Sequence, residues 1–448
     1  MRITTDATFT EVLRAAAHPL DELVPNYDPL FDVIGDARFV LLGEASHGTH
    51  EFYRERARIT KRLIEERGVL AVAAEADWPD ASRVNRYVRG LSDDVDATAA
   101  LADFKRFPQW MWRNADVVEF VEWLRRHNDA LPSDAPKVGF YGLDLYSLRA
   151  SMETVLRYLE KVDPPAAARA RARYACFDQF GDDTRAYGFL TSTGLAERCR
   201  DEVVAQLTEL LRAAADLGQR DGRTAEDQFF DAVQNARLVK NAEEYYRTMF
   251  VGDVSSWNLR DRHMVETLEE LVEHLDRRSG RAKVAVWAHN SHLGDARATE
   301  MAHRGELNVG QLVRSKYGRD SVLIGFTTHL GTVTAASDWE GPAERKRVRP
   351  ALLGSYEQTF HATTLPRFLL TWRGDARAKR ELLDARLERA IGVIYRPDTE
   401  RGSHYFHARL ADQFDAVLHF DETRAVEPLE RNAEWAAGEV PETFPFAV

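Results

Sequence analysis

Cysteine is nearly missing from this chain, with only Cys176 and Cys199 among 448 residues. Two thiols cannot build a disulfide framework or a cysteine-rich zinc site, so a reduced, cytoplasmic protein is expected. Neither thiol sits in a motif that would make it a nucleophile. No apolar run of about 18 residues occurs, which argues against a membrane span. Met1–Asp6 lacks the apolar stretch of a signal peptide. Excess positive charge is missing too: the net charge is -12 and the pI near 5.7, which disfavours nucleic acid or an anionic membrane as partner. The basic run Glu344–Arg349 reads as a solvated loop. There is no Walker loop and no Gly-x-Gly-x-x-Gly, so no nucleotide cofactor is expected. The Gly-x-Ser-x-Gly elbow of serine hydrolases is absent, as is His-Glu-x-x-His.

What is present suffices for a large core: 44% of residues are hydrophobic and 10% aromatic. Near-continuous apolar runs mark strands at Phe39–Leu42, Val69–Ala73, Val138–Tyr141, Val284–Trp287, Val322–Phe326, Ile391–Ile394 and Ala416–Leu418. Such runs fit strands buried on both faces, hence a mainly parallel sheet flanked by helices. Glu51–Glu66 has an apolar helical stripe, and Asp80–Val88 reads as a helix with Asp77 as cap and Pro79 in its first turn. The middle lacks strands and shows helical periodicity over Glu202–Ala214, Ala225–Arg247 and Asp261–Leu275. The expectation is an α/β domain formed by 1–147 and 279–448, with a helical insertion, 148–278. Leu91–Ala102 and Arg345–Gly354 are the expected loops.

In a parallel sheet, ligands bind beyond the carboxyl ends of the strands. The first strand runs into Glu44 and His47, the second into Glu75 and Asp77, the third into Asp144 and the fourth into His289; the fifth leads to Thr327, Thr328 and His329. Four strands thus carry an ionisable group to one edge, which points to a polar cleft. Glu44 and His47 stand three apart between Gly43 and Gly48. A carboxylate there orients an imidazole that accepts a proton from water. The bland alternative, a helix cap beside a packed histidine, loses weight once Glu75, Asp144 and His289 converge on the pair. Arg56, one turn into the next helix, is the cation expected to offset these acids. His289-x-x-His292 has a spacing that could bind metal, but a metal-free role for His289, electrophilic or acid–base, weighs more. Phe107–Arg113 packs three aromatics into seven positions, so Trp110 is core or pocket wall; Tyr146, Trp257 and Trp78 are lesser wall candidates.

At these residues the chain resembles the erythromycin esterase family. The resemblance rests on Leu42–Phe52, on Ala74-Glu75, on Gly142-Leu143-Asp144 and on Ala288-His289-Asn290-Ser291-His292, with Gly310-Gln311-Leu312 as a further echo. It implies an α/β sheet with a deep cleft, of which the helical insertion forms one wall. It also implies hydrolysis of a small-molecule ester or lactone by water without an obligatory metal. Carried over residue by residue, His47 is the general base beside Glu44, while Arg56, Glu75, His289 and His292 line the site. Phe104–Arg113 looks more like the broader, succinoglycan-biosynthesis-like branch than the macrolide-resistance enzymes, so a macrolide is one candidate substrate among others. A metal-dependent hydrolase on the same fold, and a non-catalytic binding or biosynthetic accessory protein, are the competing readings.

Overall fold

Leu41 packs on one face of its strand while Val40 and Leu42 pack on the other, and both faces are apolar. This two-sided burial is what a central strand of a helix-covered sheet requires. The computed structural model describes residues 7–181, 183–195, 198–213, 223–250 and 252–438. Among them, nine strands form one sheet: β1 (Ala17–Pro19), β2 (Phe39–Leu42), β3 (Val69–Asp77), β4 (Gly139–Asp144), β5 (Lys283–Trp287), β6 (Ser321–Ala335), β7 (Glu344–Val348), β8 (Arg367–Thr371) and β11 (Ala416–Thr423). Six run parallel in the order β11-β6-β2-β5-β3-β4, while β8 and β1 close one side antiparallel. Two short strands, β9 (Arg386–Arg389) and β10 (Tyr405–Ala408), pair separately.

Six of the seven expected strands lie in this sheet. Ile391–Ile394 does not: it makes only single bridges, Ile391 to Ser46 and Ile394 to Ala336, because it runs beside a loop rather than a strand. The Glu344–Arg349 run, expected as a solvated loop, is mostly strand β7, paired antiparallel with β6. Lys346 is buried there, its Nζ donating to Ser337 Oγ at 2.7 Å and Glu344 Oε2 at 3.2 Å, while Arg347 points to solvent. Strand β8 escapes a pattern search because its apolar core, Phe368-Leu369-Leu370, is only three residues long. The expected Leu91–Ala102 loop contains a short helix, Ala97–Ala100, capped by Asp96.

The helices His50–Arg67 and Trp78–Val88 lie close to their expected bounds. Between β4 and β5 the described residues are helices and turns, including Leu148–Val162, Thr184–Ser192, Arg200–Arg212, Arg223–Thr248 and Asp253–Ser279. Ala214, at the end of one expected helix, and Met1–Asp6 lie outside the described residues. These helices pack on the face that carries Leu41 and Val286, whereas His50–Arg67 packs on the other. The chain therefore leaves β2 toward one face and leaves the adjacent β5, through Leu293 and the Val309–Tyr317 helix, toward the opposite one. The crevice where they part is the topological switch point. Cys176 and Cys199, expected reduced, are joined in a disulfide within the helical region. Among the described residues no helix is long and apolar enough to cross a membrane.

Candidate active site

The β2–helix loop is pressed tightly against its surroundings. A Cβ on Gly43 would lie 2.2 Å from Asn290 Oδ1, and one on Gly48 would lie 1.9 Å from the Thr334 carbonyl oxygen. Only glycine admits these approaches. They seat the intervening Glu44 and His47 over the end of β2. His47 Nδ1–H donates to Glu44 Oε1 at 2.9 Å. Arg56 Nη2 holds the other carboxylate oxygen at 2.7 Å, and both Glu44 and Arg56 are buried. The Arg56 guanidinium lies against the rings of Tyr53 and Trp287, 4.5 Å and 5.2 Å from their centroids. With Nδ1 committed to Glu44, His47 Nε2 is the free basic nitrogen, 4.0 Å from Glu75 Oε1.

Glu75, near the end of β3, is the hub. Its Oε2 accepts from the His289 backbone N–H at 2.9 Å, and its Oε1 from Arg260 Nη2 at 2.7 Å. Burial alone would raise its pKa; His292, His47 and Arg260 reverse the effect and hold it well below the usual carboxylate range. Arg260 also binds Asp144, Nε to Oδ1 at 3.0 Å and Nη2 to Oδ2 at 2.6 Å. One arginine thus ties together the ends of β3 and β4.

His292 Nδ1–H donates to Asp261 at 2.9 Å, and the Trp257 ring stacks on the imidazole with centroids 4.4 Å apart. Its Nε2 has two uses. It accepts from Arg260 Nη1 at 3.0 Å when the ring is neutral and faces Glu75 Oε1 at 3.4 Å when it is charged. Burial and the Arg260 charge oppose protonation, but Asp261 and Glu75 outweigh them and raise the ring to about 9. The charged form therefore prevails near neutrality.

His289 behaves oppositely. Burial and the neighbouring His47 press it down to about 3, so it is neutral. Its Nδ1 accepts from the Ser291 N–H at 3.2 Å and contacts Ser291 Oγ at 2.8 Å, which leaves the proton on Nε2. The His289 and His47 rings lie 4.8 Å apart. So weak a base cannot activate Ser291 as a nucleophile. Ser46, the other candidate serine, is buried and hydrogen-bonded to Thr49.

A cleft of about 520 Å³ opens over this cluster. His47, Glu75, His289, His292, Asp144 and Tyr146 line it, as does Trp257. Glu44 and Arg56 lie behind His47, where Arg56 meets Glu44 rather than the cleft. Trp110 is buried in the core on the other face of the sheet; its neighbours Phe107, Met111 and Trp112 form the wall instead. Trp78 is likewise buried, donating to Asp231 at 2.8 Å. Asp77, rather than capping with its side chain, accepts the Tyr146 and Ser147 backbone N–H groups. Among the described residues no group of three or more His, Cys, Asp or Glu is arranged to hold a metal ion.

Arg260 and Asp261 were not anticipated, because they come from the middle of the Asp253–Ser279 helix rather than a strand end. A signal was there: Trp257, Asp261, Met264 and Leu268 share one helical stripe, which puts a carboxylate among apolar positions.

The erythromycin esterase family profile matches residues 64–423. An erythromycin esterase type II of Escherichia coli is 24% identical over 337 residues, 71% of this chain and 75% of the relative. A putative hydrolase, YbfO, of Bacillus subtilis (strain 168) is 22% identical over 433 residues, 90% and 88% of the two chains. Among solved structures, a succinoglycan biosynthesis protein superposes with a TM-score of 0.75 at 23% identity, covering 94% of this chain and 98% of the other. A mutant erythromycin esterase in its open conformation superposes at 0.65 with 17% identity, covering 89% and 95%. These two establish likeness of fold, while the profile spans most of the sequence. The chain belongs to the erythromycin esterase family.

Proposed function

We propose that the protein hydrolyses a carboxylic ester or lactone, with His47 as the base that activates water. The observation that carries this is the Arg56–Glu44–His47 relay, which leaves Nε2 as the acceptor facing the cleft. His47 Nε2 takes a proton from water as the water oxygen bonds to the carbonyl carbon. Glu44 stabilises the imidazolium that results. The neutral His289 ring offers its Nε2–H to the carbonyl oxygen as negative charge develops there. The carbon–oxygen bond to the alcohol then breaks, and His47 returns its proton to the leaving oxygen. The products are one acid and one alcohol, or a single hydroxy acid from a lactone. Glu75, held by Arg260, keeps the His289 backbone in place.

Family membership and the relatives' names support hydrolase chemistry, and macrolide lactones belong in the candidate set. Arg260 already occupies Glu75 and Asp144, so the carboxylates most useful to a metal centre have a cation of their own. The test is mass spectrometry of an ester and lactone panel, macrolides included, incubated with wild type and His47→Ala. A mass gain of one water seen only with wild type is expected. Equal gain with both proteins would remove His47 from the reaction.

A further inference from the structure

Beside the catalytic cleft lies a larger cavity of about 1570 Å³, and the two share Asp80, Arg106, Tyr146 and Trp339 as walls. Helices of the central region line much of it, and part of its wall is aromatic, including Tyr245, Tyr246, Phe250 and the half-exposed Phe189 and Trp339. Six lining side chains are cations and six are carboxylic acids. That formal balance hides an asymmetry.

Most of the acids are already engaged. Asp103 is paired with Arg83 at 2.7 Å, and Asp183 accepts the Ala186 N–H at 2.8 Å. Asp231 accepts from Trp78 and Ser82, and Arg86 and Arg157 lie within electrostatic reach of it without a direct contact. Burial and Asp77 raise Asp80 to about 8, so it is largely protonated near neutrality. Glu153 and Glu340 remain. Of the cations, Arg106 is paired with Asp77 at 3.0 Å, and Arg149 donates to the Phe177 carbonyl at 2.6 Å. The other four, Arg86, Lys105, Arg157 and Arg185, are exposed and have no ion pair or side-chain hydrogen bond among the described residues. They sit on three helices and one loop around a single cavity. A chain of net charge -12 thus places four cations without an ion-pair partner around one cavity beside its cleft.

We infer that the ester processed at His47 carries a carboxylate, which these four cations hold while the aromatic walls cover the body between it and the ester bond. Arginine forks suit a carboxylate, and the aromatic faces suit an apolar or ring-bearing body. The inference rests on the ester-hydrolysis reading, so its test has an arm that needs no turnover.

The probes are 4-nitrophenyl monoesters of straight-chain dicarboxylic acids from adipic to dodecanedioic, each against the monocarboxylic ester of equal length. For at least one length, wild type is expected to show a KM about tenfold lower for the charged ester. That ratio should collapse in the Arg86→Gln/Arg157→Gln double variant and in about 0.5 M salt. No advantage at any length, or one that survives the double variant, overturns the proposal. The matching 4-nitroanilides, which bind without needing to react, are titrated calorimetrically into the same two proteins. Preference for the charged anilide by wild type alone supports the carboxylate subsite even if no ester is cleaved, and then only the reaction reading falls. Equal binding of charged and neutral anilides, or binding of neither, overturns the subsite.

Discussion

Arg56 Nη2 lies 2.7 Å from Glu44 Oε2, in a pair that solvent does not reach. The cation that composition alone would place on a helix surface instead fixes the carboxylate that aligns His47. Removing it leaves the buried Glu44 carboxylate without a cation, with only the His47 ring as partner. Arg56→Ala should therefore cost about 3–5 kcal/mol of stability, measured by denaturant unfolding. A cost under about 1 kcal/mol, typical of an exposed pair, would show that the pair is solvated.

Arg260 bridges Glu75 and Asp144 from the helical region, so its loss loosens both strand ends. Arg260→Gln is expected to lower kcat/KM on a cleaved ester by about 100-fold, corresponding to about 3 kcal/mol. Arg260→Lys should recover only part of this, because one ammonium cannot reproduce a fork that reaches two carboxylates. Full recovery by lysine would reduce the role of Arg260 to simple charge.

Acid and alkali should destabilise the protein through different histidines. His292, raised to about 9, adds stability that is complete below the unfolded value of about 6.5 and is lost as pH rises through about 9. His289 is lowered to about 3, and His263 and His329 to about 4. The unfolded chain takes up protons on these three below about pH 6.5 that the folded protein refuses, so stability falls as pH drops from there. His292→Gln should make the fall in melting temperature between about pH 6.5 and 9 shallower and leave the acid side as it is. An unchanged alkaline limb would show that His292 does not titrate there.

The Cys176–Cys199 bridge closes a segment that contains the Thr184–Ser192 helix, one wall of the larger cavity. Thiol titration of the unreduced, denatured protein should find no free thiol. Cys176→Ser/Cys199→Ser should lose about 2–4 kcal/mol of stability. Two reactive thiols in unreduced protein would contradict the bridge.

Much of this site could be read from the residues that follow each strand. Glu44, His47, Glu75, Asp144 and His289 converge because parallel strands deliver their carboxyl ends to one edge. Periodicity marks Asp261 as a carboxylate on an apolar stripe but gives no sign of Arg260, since a residue inside a long helix reaches the site only once the helix is docked. For Trp110, read as core or pocket wall, the tight Gln109–Met111 turn decides for the core, while Phe107, Met111 and Trp112 also reach the cleft. Strand β7 was hidden by long basic side chains, whose alternation in burial shows only after pairing with β6. Cysteine count argued for reduced thiols, and only the packing of the helical region brings the two together.

The central claim is that His47 is the base. The most direct measurement is the rate of hydrolysis by His47→Ala of an ester that wild type cleaves, with and without added imidazole. A loss of about 10²–10⁴-fold is expected, with partial, saturable restoration by imidazole that strengthens as pH rises through its own pKa. A variant that keeps the wild-type rate, or a loss that imidazole leaves untouched while substrate still binds, would contradict a general base at this position.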